Sequence, residues 1–235
     1  PPPPPPPLCV FIFYDLPNRD CSAGASAGEI STGMDSATDA EVAAAALTEY
    51  EVEYVDPFVA TLVQYSEVPV VLIIEPDSLG NVISNIGNAR CTTATVENYK
   101  RGVSYAVQAI ASRASHVGIY VDAAHGGWMG FEHNAAAFVA LMAEMDIIRL
   151  IRGFSVNVAN YQSLGLDAVC PAEAFATTAL EVNGVAGGVA QWCKGTGLGS
   201  SCCLNDPCEL LKIGSGGATE LSYVQTLTRH FMTKT

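Results

Sequence analysis

Apolar positions fall in short unbroken runs, separated by stretches with helical spacing. Leu8-Cys-Val-Phe-Ile-Phe-Tyr14 is a continuous run of strand length, of the kind buried on both faces of a sheet. Val68 to Ile74 is a second run, Val117 to Val121 a third and Gly153 to Val158 a fourth. Between them the spacing predicts helix over Ala37 to Tyr65, with a break before Pro57, then around Ser78 to Ser84, from Thr93 to Ser112 and from Asn134 to Ile148. Alternating strands and helices predict an α/β fold, a parallel sheet or barrel with helices outside. Asp15 to about Asp35 reads as a polar, Gly- and Ser-rich loop.

Past Tyr161 the pattern weakens. Ala172 to Ala190 is small, apolar and poorly periodic, and Cys193 to Cys208 is loop-like. Glu209 to Ile213 reads as a last strand and Leu221 to Phe231 as a last helix. No repeat and no second domain is read, so residues 8–235 form one expected domain. Pro1 to Pro7 lacks backbone donors and is expected as an extended polyproline II linker or stalk, where an additional module or assembly could attach.

Every predicted strand ends in polar residues: Tyr14-Asp15, Glu75-Pro76-Asp77, Asp122-Ala-Ala-His125 and Asn157-Val-Ala-Asn160. Parallel α/β folds bind ligands at the carboxyl ends of their strands, so these clusters point to one cleft.

Composition narrows the classes. With 24 Asp and Glu against 11 Lys and Arg the net charge is −13, which excludes a basic surface for nucleic acid. No apolar run reaches the roughly 20 residues of a membrane span. Eight cysteines without recurring metal-ligand spacing predict disulfides, an oxidising compartment and a secreted or extracellular chain with any signal peptide removed. No N-glycosylation sequon is present. Asp122, His125 and His133 do not complete a ligand set, so no metal is expected.

Asp77 follows a buried run, and Asp15, Asp20 and Asp122 would share its rim. Such a carboxyl suits a general acid, because burial and like charge raise its pKa. Asp77 could equally serve as the N-cap of the helix that follows.

Four ordered blocks over Leu8 to Tyr161 resemble the signatures of glycoside hydrolase family 6, the inverting cellobiohydrolases and β-1,4-endoglucanases. They are Tyr14-Asp-Leu-Pro-Asn-Arg-Asp-Cys21 with Ala25-Ser-Ala-Gly-Glu29, then Ile74-Glu-Pro-Asp-Ser-Leu79, Tyr120-Val-Asp-Ala-Ala-His-Gly-Gly-Trp128 and Arg152-Gly-Phe-Ser-Val-Asn-Val-Ala-Asn-Tyr161. The resemblance implies a distorted or incomplete parallel β/α barrel that needs no cofactor. It implies that Asp77 is the general acid and Asp20 the carboxylate that keeps it protonated. Tyr14 would lie beneath the distorted sugar ring and Ser26 would help place the attacking water. Asp122, His125 and Asn160 would bind sugar, and Trp128 would stack on it. Packing in the core is the alternative for Trp128, and a structural histidine for His125. Cys21 and Cys91 match the family's first disulfide, with other pairings of either cysteine open.

The chain also departs from the family pattern. One strand and helix that normally precede the first signature are absent here, Phe131 stands where many members stack a second tryptophan, and the stretch from Tyr161 to Gln191 is short. Trp192 matches a late tryptophan that holds the glucan chain, and Lys212 a lysine in the loop that bears the base. In that loop the family's Asp falls on Glu220 and its Glu on Ala218. The resemblance thus implies inverting hydrolysis of β-1,4-glucan with Glu220, or a water chain ending at Asp20, as base. A glycan-binding or structural protein without hydrolysis is the alternative. An unrelated α/β hydrolase is a third, weaker alternative.

Overall fold

Four parallel strands, β1 (Cys9–Phe13), β2 (Val70–Ile74), β3 (Gly118–Asp122) and β4 (Gly153–Ser155), pair in chain order. Phe13 lies beside Ile74, Ile74 beside Val121, and Val121 beside Phe154, which brings the carboxyl ends of the strands into register. The computed structural model describes residues 7–30, 40–88, 90–159 and 220–234. The proposed strand at Glu209 to Ile213 and Pro1 to Pro6 lie outside these residues.

By its internal contacts the chain divides into two compact units, residues 1–123 with 140–155, and residues 124–139 with 156–235. In the first, Leu72 and Ile74 of β2 and Ile119 and Val121 of β3 are buried. In the same unit Val96, Tyr99, Val103, Ala106, Val107 and Ile110 of α4 (Thr93–Arg113) form one buried stripe. The Thr92 hydroxyl accepts the Thr95 N–H at 3.2 Å and sets the start of that helix.

Two expectations are corrected. The break before Pro57 does not occur: α1 (Ala40–Glu49), a π-helical turn (Tyr50–Val55) and α2 (Asp56–Gln64) run on without interruption. Pro57 sits in the first turn of α2, directly after the π turn, where the Asp56 N–H donates to the Glu51 carbonyl and the wider winding accommodates a residue without an N–H. This turn also presents an aromatic row to β1. Phe13 meets Tyr50, Tyr54 and Phe58 at ring distances of 6.4, 4.6 and 5.1 Å. Second, β1 is not buried on both faces. Among the described residues it pairs only with β2, and Val10, Phe11 and Ile12 remain 56%, 46% and 49% exposed. An apolar run encodes a strand, but its place in the sheet order decides how much of it is covered.

In the second unit, α5 (Gly126–Met129), the first half of α6 (Glu132–Met145) and α7 (Glu220–Lys234) pack around buried Met129, Phe138, Tyr223 and Leu227. Phe138 and Phe231 meet edge to face at 6.5 Å.

The loop after β1 is stapled to the start of α4. Cys21 and Cys91 form a disulfide across 70 residues, as the family resemblance implies. Asn18 donates to the Arg90 carbonyl at 2.8 Å and Arg90 donates to the Asp20 carbonyl at 2.9 Å. Replacing both cysteines with serine should therefore cost about 4 kcal/mol on the chain-entropy account. Denaturant titration of the double variant checks this. A Cβ at Gly102 of α4 would lie 2.4 Å from Cδ2 of buried Leu16 and 3.2 Å from the Tyr50 ring. Gly102→Ala should thus lower stability by about 1–2 kcal/mol despite alanine's better helix propensity, because neither neighbour can withdraw. The midpoint of thermal unfolding reads the sign.

Candidate active site

The carboxyl ends of β1, β2 and β3 gather five acids in the first unit, Asp15, Asp20, Glu75, Asp77 and Asp122. Asp77 follows β2 through the corner Glu75-Pro76-Asp77. Both Glu75 and Asp77 adopt left-handed backbone conformations, with φ of 49° and 64°. Asp77 occupies the N-cap position of α3 (Ser78–Ser84), yet its side chain makes no capping bond. Its backbone N–H instead donates to Asp122 Oδ2 at 2.9 Å. Asp77 Oδ1 is buried and without a hydrogen-bond partner among the described residues. Burial raises the pKa of this carboxyl, and the nearby Asp20 charge raises it further. A carboxyl whose pKa is raised and whose side chain makes no capping bond is suited to donating its proton.

Asp20, also left-handed at φ 53°, is held through its carboxylate, which accepts the Ser26 N–H at 2.8 Å. Ser26 itself is exposed. Tyr14 lies under the Arg19 guanidinium, 4.8 Å from the ring centre, and donates its N–H to the Tyr54 hydroxyl at 3.0 Å. Burial and the Asp20 charge hold the Tyr14 phenol protonated. Arg19 also bonds the Tyr14 carbonyl, the Ser26 carbonyl and Asp15. Asp15 is pushed up to about 6, first by burial and then by Glu29, against the pull of Arg19. Asp122 is only 3% exposed, and its Oδ1 lies 3.5 Å from the Ser155 hydroxyl.

The structure thus brings Tyr14, Asp20, Ser26, Asp77 and Asp122 together in one unit. It adds a residue that patterning did not single out for chemistry. Glu75 is fully buried, and its carboxylate accepts the Asp15 N–H at 3.0 Å, the Leu16 N–H at 3.3 Å and the Tyr50 hydroxyl at 2.9 Å. Burial pushes it up to about 8, while these three donors favour its charged form. Its position beside Pro76-Asp77 at a strand end was the signal available in the sequence.

The second unit holds His125, Trp128 and Glu220. The His125 and Trp128 rings lie 6.0 Å apart, and Asn134 donates to the Trp128 carbonyl at 2.9 Å. Burial pushes His125 down to about 4, so its imidazole is neutral near pH 7 and can both donate and accept. Glu220 is buried at the start of α7, where Oε1 accepts the Gly126 N–H at 2.6 Å. Its Oε2 is without a hydrogen-bond partner among the described residues, and burial raises its pKa. Asn160, Trp192 and Lys212 lie outside the described residues, as do the cysteines from Cys170 onward.

Residues 6–181 match the profile of Glycosyl hydrolases family 6. The chain is 37% identical over 166 residues to the probable 1,4-beta-D-glucan cellobiohydrolase C of Aspergillus clavatus, covering 69% of this chain and 32% of that protein. It is 39% identical over 161 residues to exoglucanase 3 of Agaricus bisporus, covering 67% and 34%. Among solved structures, the catalytic domain of Cellulomonas fimi Cel6B superposes with a TM-score of 0.67 at 26% identity, covering 97% of this chain and 45% of that one. Endoglucanase CEL6B from Humicola insolens superposes at 0.65 and 25% identity, covering 97% and 52%. The chain therefore spans about a third of the length of the curated relatives it matches and about half of the solved structures. Ordered signatures, parallel topology and these likenesses converge: the chain belongs to glycosyl hydrolase family 6 and has its distorted α/β barrel type of fold.

Proposed function

We propose that this chain is an inverting β-1,4-glucan hydrolase, with Asp77 as the general acid. The observation that carries the reading is the state of Asp77. Its carboxyl is raised by burial and by Asp20, makes no helix cap, and has its backbone held by Asp122. Relatives named as a cellobiohydrolase and an exoglucanase support β-1,4-glucan as the substrate class.

In this mechanism Asp77 donates its proton to the leaving glycosidic oxygen as the bond to the anomeric carbon breaks. Asp20 keeps that proton in place beforehand and offsets the positive charge that grows on the sugar. Tyr14, kept neutral, lies against the ring, and Ser26 on the Asp20 loop helps place the attacking water. Inversion requires a second carboxylate to accept the proton of that water. Glu220 is the candidate, having one oxygen bonded to Gly126 and the other without a partner among the described residues. Neutral His125 would hydrogen-bond sugar hydroxyls while the Trp128 indole stacks on a pyranose face. The Cys21–Cys91 disulfide supports placing the protein outside the cell.

Reducing-sugar release from soluble β-glucan tests the acid. Asp77→Asn should lower kcat by about 10²–10⁴-fold with little change in KM. Equal turnover by variant and wild type would remove Asp77 from the chemistry, and binding without release by wild type would leave only glycan recognition. The product anomer, followed by NMR at early times, reads inversion directly. The pH profile tests the role of Asp20. Its negative charge raises Asp77, so Asp20→Asn should let Asp77 ionise at lower pH. The alkaline limb of kcat against pH then moves to lower pH, and an unmoved limb would rule out this coupling.

A further inference from the structure

Glu75 has no role in the acid–base chemistry above, yet it is the most completely buried acid in the first unit, at 0% exposed. Placing a carboxyl there costs several kcal/mol unless donors replace its water. No Lys or Arg pairs with it in any ion pair of the described residues. Three donors converge on it instead, and all come from segments distant in sequence. The Asp15 and Leu16 amides belong to the chain just past Tyr14, and the Tyr50 hydroxyl belongs to the π turn. The backbone of Glu75 ties the same corner together. Its N–H donates to the Phe13 carbonyl at 2.8 Å, and its carbonyl accepts both the N–H and the hydroxyl of Ser78, at 3.2 and 2.6 Å.

A glutamine could not reproduce this. It would present one acceptor oxygen and would turn an NH2 group toward at least one of the donors. An apolar side chain would leave two backbone amides and a hydroxyl buried without partners. The left-handed backbone at Glu75 and Asp77 is strained, and such strain persists only where neighbouring bonds over-determine it. Packing adds to the constraint. Leu16, whose N–H reaches Glu75, and Tyr50 both press against Gly102, where no side chain would fit.

We infer that Glu75 is a positioning residue: its buried carboxyl group locks the segment carrying Tyr14 and Asp20 to the corner that presents Asp77. The inference deepens the acid role proposed for Asp77 and rests on it. Glu75 touches no substrate and exchanges no proton with it. Its part is to hold the acid and the carboxylate that keeps it protonated within the small tolerance such chemistry allows, where misplacement by about 1 Å costs on the order of 10²-fold.

Two measurements on the full chain test this with Glu75→Gln, and with Tyr50→Phe as a milder variant should the first not fold. The first is amide hydrogen exchange, which does not depend on activity. The Asp15 and Leu16 amides should exchange at least 10-fold faster in the variants, with the Leu72 amide in the sheet core much less affected. Equal acceleration at all three sites would mean general destabilisation and would overturn the lock. The second is kinetics on soluble β-glucan, well below each variant's unfolding temperature. Glu75→Gln should lower kcat by about 10–100-fold with KM within threefold. In an Asp77→Asn background the same change should lower the residual rate less than threefold, because both substitutions then affect one step. A full, independent loss in that background, or an unchanged kcat in the single variant, would overturn the inference. A wild-type chain that releases no sugar would refute the hydrolase reading, and the exchange result would still decide whether Glu75 holds the loop.

Discussion

Backbone N–H groups aimed at carboxylates are what allow this set of acids to share the ends of three strands. The chain carries far more acid than base, and Arg19 is the one cation that forms an ion pair with a carboxylate of the cluster among the described residues. Amides replace the missing positive charge. Asp15 and Leu16 donate to Glu75, Asp77 donates to Asp122, and Ser26 donates to Asp20. Each bond stabilises one carboxylate without neutralising the local field. Asp77 is the acid left without such a donor on Oδ1, so the field of its neighbours and its own burial fall on it. Selective satisfaction of its neighbours is therefore what sets Asp77 apart chemically.

That arrangement depends on the parallel register. In-register pairing puts Phe13, Ile74 and Val121 side by side, so the residues after them emerge at one edge. The left-handed turns at Asp20, Glu75 and Asp77 then redirect amides that would otherwise continue the strand or start the helix. The disulfide and the Asn18–Arg90–Asp20 bonds restrain the far end of the loop, and Glu75 restrains its near end. Both ends of the segment carrying Asp20 are thus tied to the unit that presents Asp77.

Much of the framework was legible from patterning. The runs at Val68 to Ile74 and Val117 to Val121 coincide with β2 and β3 to within two residues, and the helix read over Thr93 to Ser112 ends one residue early. These elements are long and regular, and their apolar period reports burial directly. Pro57 was read as a break because a proline's missing donor is visible in sequence, whereas the π turn that accommodates it is not. The exposed flank of β1 was hidden for a similar reason: an apolar run describes the strand and says nothing of its neighbours.

The sequence by itself determined the parallel α/β framework, the order of the family's signatures and the identity of Asp77, Asp20, Cys21 and Cys91 as residues of interest. Those properties reside in local periodicity and in residue type, which need no knowledge of the chain's path. Only the tertiary structure decided that Asp77 forgoes the helix cap, that Asp122 holds its backbone, and that Glu75 links Tyr50 and the Asp15 amide across 25 and 60 residues. Those facts are hydrogen bonds between distant segments. Their existence depends on where folding brings each donor, and no spacing along the chain encodes that.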